Sequence, residues 1–303
     1  MTFLEVAWPS GKAEACKASI PSSNLGATFF HFMLYLVATP IGNLADITFR
    51  AVETLKNVDY ILCEDTRHSR PLLGHYEIQT PLRSYHKFNL KEKEREILSD
   101  LAAGKKIALI SDAGTPGISD PGAELVAACV QHGFAVQAIP GPCAAIAALV
   151  CSGFNTSRFQ FRGFLPRKEN ELKREIHAIL NFDGTTIAYE SAQRIEEVLS
   201  LLNEVAPSRK LAIARELTKK FEEIVRGSAA EILSHFQTHP LKGELVLLIE
   251  KGQELEQDWL KLSPVEHVEY LEKTYQLTRA DALKLAAKQR GVSKRDIYRE
   301  FIS

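Results

Sequence analysis

Residues 107–122 join a short apolar strand to a loop made almost wholly of Asp, Gly, Ser, Thr and Pro. Ile107-Ala108-Leu109-Ile110-Ser111 runs into Asp112-Ala113-Gly114-Thr115-Pro116-Gly117-Ile118-Ser119-Asp120-Pro121-Gly122. In α/β proteins, ligands bind outside the carboxyl ends of strands, where the chain order switches. This loop has the composition of such a site. Neither Gly-x-Gly-x-x-Gly nor Gly-x-x-x-x-Gly-Lys-Ser/Thr occurs in the chain, so the usual dinucleotide and nucleoside-triphosphate fingerprints are absent.

Strand and helix patterns alternate through the first half. Strand Leu34–Ala38 precedes a helix with Ala51, Val52, Leu55 and Val58 on one face. Strand Asp59–Cys63 follows, then a charged helix over Asn89–Ala103 with Gly104 as its C-cap. After strand Ile107–Ser111, Pro121 is placed to open the next helix. Strand Ala135–Ile139 leads through Pro140-Gly141-Pro142-Cys143 into an Ala-rich helix. Such alternation predicts a parallel sheet covered by helices on both faces.

A second α/β domain is expected beyond the break at Gly153–Thr156. Its strands lie near 159–162, 185–189, 211–214, 222–226 and 244–250, and the short links between the last three predict hairpins and a mixed sheet. Three short capped helices close the chain. Ser263-Pro264-Val265-Glu266, Thr278-Arg279-Ala280-Asp281 and Ser293-Lys294-Arg295-Asp296 each put a hydroxyl three residues before a carboxylate. The last of these helices are basic, and with Gly291 between them they have helix-turn-helix character; a plain helical cap with a solvated charged face fits as well. The expected domains are 33–152, 153–252 and 263–303. Residues 1–32 show neither helical nor strand periodicity and no signal-peptide pattern, so Met33 is expected to be the natural start and the preceding stretch a non-native or disordered extension.

The whole-chain net charge of −1 does not point to nucleic acid or membrane, so any basic surface must be local. No apolar run approaches the roughly 20 residues that span a bilayer. Five scattered cysteines without a Cys-x-x-Cys pair argue against a zinc site and for a reducing cytoplasm.

The candidate site residues follow from chemistry at strand ends. Asp112 could accept hydrogen bonds from ribose hydroxyls or an amino group, or simply cap its loop. Glu64-Asp65-Thr66-Arg67-His68 packs two acids, a guanidinium and an imidazole together, which suits a general base beside a phosphate clamp and equally suits a structural ion-pair network. Arg215-Glu216-Leu217-Thr218-Lys219 has the same character.

Taken in order, several words resemble those of one family. They are Ala38-Thr39-Pro40-Ile41-Gly42-Asn43-Leu44, Glu64-Asp65-Thr66-Arg67-His68, Ser111-Asp112-Ala113-Gly114-Thr115-Pro116 and Pro140-Gly141-Pro142-Cys143-Ala144-Ala145. Gly163-Phe164-Leu165-Pro166, Ala214-Arg215-Glu216-Leu217-Thr218-Lys219 and Lys242-Gly243-Glu244 complete the set. It is similar to the tetrapyrrole-methylase superfamily, and within it to the bacterial branch that methylates small-subunit ribosomal RNA. The resemblance covers roughly residues 34–303. It implies two α/β domains with the active-site cleft between them, a small C-terminal helical domain, S-adenosylmethionine as methyl donor and a homodimer. It further implies 2′-O-methylation of a cytidine in the decoding region. Carried over position by position, it places Ile41, Asp112, Thr115, Ala144, Tyr189, Ala214 and Lys242 at the cofactor.

On that reading Glu64 or Asp65 takes the proton from the ribose hydroxyl while Arg67 holds a phosphate. Arg215 and Lys219 assist from the second domain, and Lys294 and Arg295 grip RNA from the tail. No metal is expected. The rivals are methylation of a tetrapyrrole or a protein residue on the same fold, and a non-catalytic RNA- or nucleotide-binding module.

Overall fold

The computed structural model describes residues 33–86, 90–239, 243–252, 262–275 and 277–300. The N-terminal extension and Lys242 lie outside the described residues. The first domain is a parallel sheet of β1 (Met33–Val37), β2 (Tyr60–Cys63), β3 (Leu82–Ser84), β4 (Lys106–Leu109) and β5 (Ala135–Ile139), in the order β3-β2-β4-β1-β5. The central strands are apolar on both faces because helices cover both. On one side α1 (Phe49–Asn57) and α2 (Thr66–His75) bury Leu55 and Leu73 against Ile61 and Ala108. On the other, α3 (Leu90–Ala102) and α4 (Ala123–Gln131) bury Leu101 and Leu125 against Leu62 and Leu109. From β1 the chain travels to one edge, and from β4 to the other. The carboxyl ends of these neighbouring strands therefore form the switch point where the Asp/Gly loop begins.

Two elements differ from expectation. The Asp65–His75 stretch forms α2 despite Pro71 and Gly74, with Asp65 as its N-cap. Pro121 does not open α4, which begins two residues later. Gly122 is the N-cap there at φ 142°, where a Cβ would come within 2.8 Å of Leu109 Cδ2.

Helix α5 (Ala144–Ser152) starts at the edge of the first sheet and lies on the second, burying Ala148 and Leu149 against Ile187, Ala212 and Leu248. The second sheet comprises β6 (Phe159–Phe164), β7 (Thr185–Ser191), β8 (Leu211–Arg215), β9 (Glu223–Gly227) and β10 (Glu244–Ile249), ordered β6-β7-β10-β8-β9. Only the β6–β7 pair is parallel, so the sheet is mixed, with the expected β8–β9 hairpin. Its far face packs on α6 (Glu169–Leu180), α7 (Ile195–Val205) and α8 (Ala229–Thr238) through an aliphatic core that also takes Phe236. No described helix is long and apolar enough to cross a membrane.

The tail forms α9 (Pro264–Tyr275), α10 (Arg279–Arg290) and α11 (Lys294–Glu300), with Pro264 at the first helical position and Gly291 left-handed at the C-cap of α10. The helices share a small core that also takes Leu180 and Val205 from the second domain. A polar seam accompanies it. His177 of α6 meets the Tyr275 ring edge-on at 4.4 Å, while Arg290 donates to His267 Nδ1 at 3.1 Å.

Burial, and next the neighbouring His267, pushes the His177 imidazole down to about 4. Burial and then Arg290 push His267 down to about 4 as well. Both are therefore neutral in the fold at neutral pH. Their contribution to stability is complete above the ordinary histidine value near 6.5. It falls as pH drops from there through about 4, because the unfolded chain binds the extra protons first. Urea melts from pH 7 to pH 4 should show this loss, and a His177→Gln variant should have a shallower slope. An unchanged slope would remove His177 from the account.

Candidate active site

A cavity of about 950 Å³ opens between the two sheets. Its first wall is the set of loops at the carboxyl ends of β1, β2 and β4, plus the start of α5; its second is the near face of the second sheet. The β1 turn is locked to the Asp/Gly loop by paired main-chain bonds, Thr39 N to Gly114 O at 2.8 Å and Gly114 N to Thr39 O at 3.0 Å. Gly114 needs its left-handed φ of 84° to make them. Thr115 Oγ1 donates to Pro142 O at 3.0 Å and ties the same loop to α5. Across the cavity, a Cβ on Gly42 would come within 2.6 Å of Lys219 Cγ and 2.9 Å of Leu217 O. The two domains thus meet at Gly42, where no other side chain fits without a shift.

Most of the expected site residues come together here. Ile41, Asp112, Thr115, Ala144, Tyr189 and Ala214 all line the cavity, as do Glu64, Arg67 and Lys219. Lys242 is not described, but its neighbours Gly243 and Glu244 line the same space. Asp65, Arg215, Lys294 and Arg295 are not in the lining. Asp65 Oδ1 caps α2 by accepting from Arg67 N at 2.8 Å, and its carboxylate takes the Arg67 guanidinium at 2.8 Å. That pairing with Arg67, first through its side chain and next through its backbone N–H, holds the Asp65 carboxyl down to about 2. Asp65 is thus a poor general base, because its proton affinity is spent on Arg67. Arg215 faces Glu223 across the β8–β9 pair, Nε to Oε2 at 2.5 Å. Lys294 and Arg295 are exposed in the first turn of α11.

The sequence reading did not single out Asp120, Glu244 or Phe164, all of which line the cavity. Burial pushes the Asp120 carboxyl up to about 6, and the carboxylates of Glu64, Asp112 and Glu244 push the same way; a Ser111 hydrogen bond opposes them. Four acids from β2, the Asp/Gly loop and β10 therefore share one electrostatic environment. Tyr189 lines the cavity from β7. Burial, and then the Cys143 thiol, raise its phenol to about 12, so it stays protonated, with the Ala145 backbone N–H opposing that rise.

Three features match a sulfonium-bearing methyl donor. Asp112 Oδ1 is buried and has no hydrogen-bond partner among the described residues, so it is an open acceptor for a hydroxyl or ammonium. The acid wall suits a cation. The small side chain of Ala144 at the start of α5 and the bare Gly114 leave room against the main chain. Among the described residues no His, Cys, Asp or Glu group is arranged to hold a metal ion.

The family model for tetrapyrrole (corrin/porphyrin) methylases matches residues 33–233. A protein of Halalkalibacterium halodurans named ribosomal RNA small subunit methyltransferase I is 45% identical over 88% of this chain and 93% of its own length. One of the same name from Bacillus subtilis is also 45% identical, over 88% of this chain and 92% of its own length. The solved uroporphyrin-III C-methyltransferase of Thermus thermophilus, complexed with S-adenyl homocysteine, shares the fold. Its TM-score is 0.52 at 16% identity, covering 72% of this chain and 97% of that one. The chain belongs to the tetrapyrrole methylase family.

Proposed function

We propose that the chain transfers a methyl group from S-adenosylmethionine to the 2′-oxygen of a cytidine in small-subunit ribosomal RNA. The name of its relatives at 45% identity supports the substrate class. The observation that carries the chemistry is the acid-walled cavity with its open Asp112 acceptor. The donor supplies an already activated methyl on a positive sulfur. What the protein adds is alignment and removal of one proton.

Asp112 and the Gly114 main chain hold the donor against the first domain. Asp120 accepts the hydroxyl proton, since its raised proton affinity sits close to working pH. Burial first, and then Glu64, Asp112 and Glu244, keep Asp120 in that range, and the three carboxylates favour a cationic ligand over the neutral thioether that remains after transfer. Arg67 and Lys219, on opposite walls, are placed to hold phosphates on either side of the target. Lys294 and Arg295 are assigned to RNA backbone outside the cavity. The active form is assigned as a homodimer.

Replacing Asp112 with Ala should weaken donor binding roughly tenfold to a hundredfold, the worth of hydrogen bonds to charged groups. Calorimetric titration with S-adenosylmethionine measures this directly, and unchanged affinity would place the donor elsewhere. The function itself is tested by incubating the purified chain with methyl-labelled S-adenosylmethionine and small subunits from a strain lacking this methylation. Label in the RNA fraction is expected. Label only in protein, or on a tetrapyrrole offered in parallel, would redirect the reading to another substrate of the fold.

A further inference from the structure

The Gly163-Phe164 step places an aromatic ring at the cavity with half of its surface left uncovered. Phe164 ends β6, an edge strand, and is 49% exposed although it lines the cavity. Its direction is set by the backbone. The β6–β7 register shifts between Phe161 and Phe164, and Gly163 is left-handed at φ 64° within that irregularity. A bulge of this kind re-aims a side chain at the cost of a ladder bond. Its surroundings fix the position further. A Cβ on Gly163 would lie 3.3 Å from Ser119 Oγ, so the strand end abuts the residue just before Asp120. One side of the ring meets Tyr189 edge-on, with centroids 5.7 Å apart and planes at 63°. Ile118, from the same loop as Asp120, is also exposed and lines the same space.

We infer that Phe164 is the platform on which the target nucleobase stacks once it has left its own stack. The inference rests on the RNA reading above. A cytidine whose 2′-oxygen faces Asp120 carries a flat base beside that loop, and Phe164 and Ile118 offer it an apolar slot. Sequence-specific readers of RNA take bases out of the stack and set them on aromatic side chains. Arg67 and Lys219 at the cavity walls meet the charge of the flanking phosphates. Phe164 is a positioning residue in this scheme: it brings the ribose to the base without touching the proton.

The test compares wild type with Phe164→Ala and Phe164→Trp, using unmethylated small subunits and saturating S-adenosylmethionine. Loss of one base–aromatic stack should raise the KM for subunits about tenfold in Phe164→Ala. Donor affinity by calorimetry should stay within about twofold, which also certifies the fold. Phe164→Trp should restore the KM. An active wild type with an indifferent Phe164→Ala would overturn the stacking role, and so would a variant that loses donor affinity at constant subunit KM, since the ring would then cover the donor. A wild type that puts no label into RNA would instead defeat the RNA reading itself.

Discussion

Asp120→Asn is expected to lower kcat about a hundredfold while leaving the protein folded. General-base assistance contributes roughly 10²–10⁴ in rate, and the lower end suits a methyl donor that is already activated. The wild-type rate should rise with pH through about 6, as the Asp120 carboxyl ionises against its burial and the carboxylates around it. In the variant that acid limb should disappear. Stability responds in the opposite sense. A carboxyl held above its ordinary value prefers its proton in the fold, so its ionisation costs stability as pH rises from about 4 to 6. The neutral amide removes that cost, and the variant should melt no lower than wild type at pH 7. A surviving acid limb in Asp120→Asn, lost instead in Glu64→Gln, would transfer the proton to Glu64.

Arg194→Ala should destabilise the fold by about 3–5 kcal/mol in urea melts. Glu190 sits inside β7 with its side chain 2% exposed, and Arg194 Nη1 reaches its Oε2 at 3.0 Å. The same guanidinium donates to Leu165 O at 3.1 Å and to Pro166 O at 2.7 Å. One side chain therefore neutralises a buried charge and satisfies the two carbonyls that follow Phe164. Truncation leaves all three without it. Lysine keeps the charge but cannot reproduce the fork, so Arg194→Lys should fall between wild type and alanine. Changing both partners at once, Glu190→Gln together with Arg194→Met, should recover much of the loss, because no uncompensated charge then remains. If Arg194→Ala costs less than about 1 kcal/mol, water must reach Glu190 and the burial argument fails.

The parts legible in the sequence are those where local chemistry decides. The Asp112–Gly122 loop was readable because Gly, Pro and Asp have few other uses at a strand end. The tail helices were readable because Ser263, Thr278 and Ser293 cap them, each with an acid three residues on. Helix α2 was hidden by Pro71 and Gly74, which read as breakers, and β3 is only three residues long. Asp65 looked as good a base as Glu64 until the helix start was known; its place at the N-cap is what removes it. Asp120 lies in the same loop, where nothing local distinguishes it from its neighbours. Its raised proton affinity comes first from its burial and then from nearby carboxylates, of which Glu64 and Glu244 are far away in sequence and brought near only by two separate sheets. Phe164 was part of a recognisable word, but its exposure follows from a register shift that no periodicity reveals.

The central question is whether this cavity methylates a ribose oxygen in RNA. The deciding experiment digests small subunits after reaction with labelled S-adenosylmethionine and identifies the labelled nucleoside by mass spectrometry, for wild type and Asp112→Ala side by side. At a donor concentration near the wild-type Kd, 2′-O-methylcytidine is expected from the wild type and about tenfold or more less of it from the variant in the same time. Label on a base carbon or nitrogen, or equal yield from both chains, would contradict it.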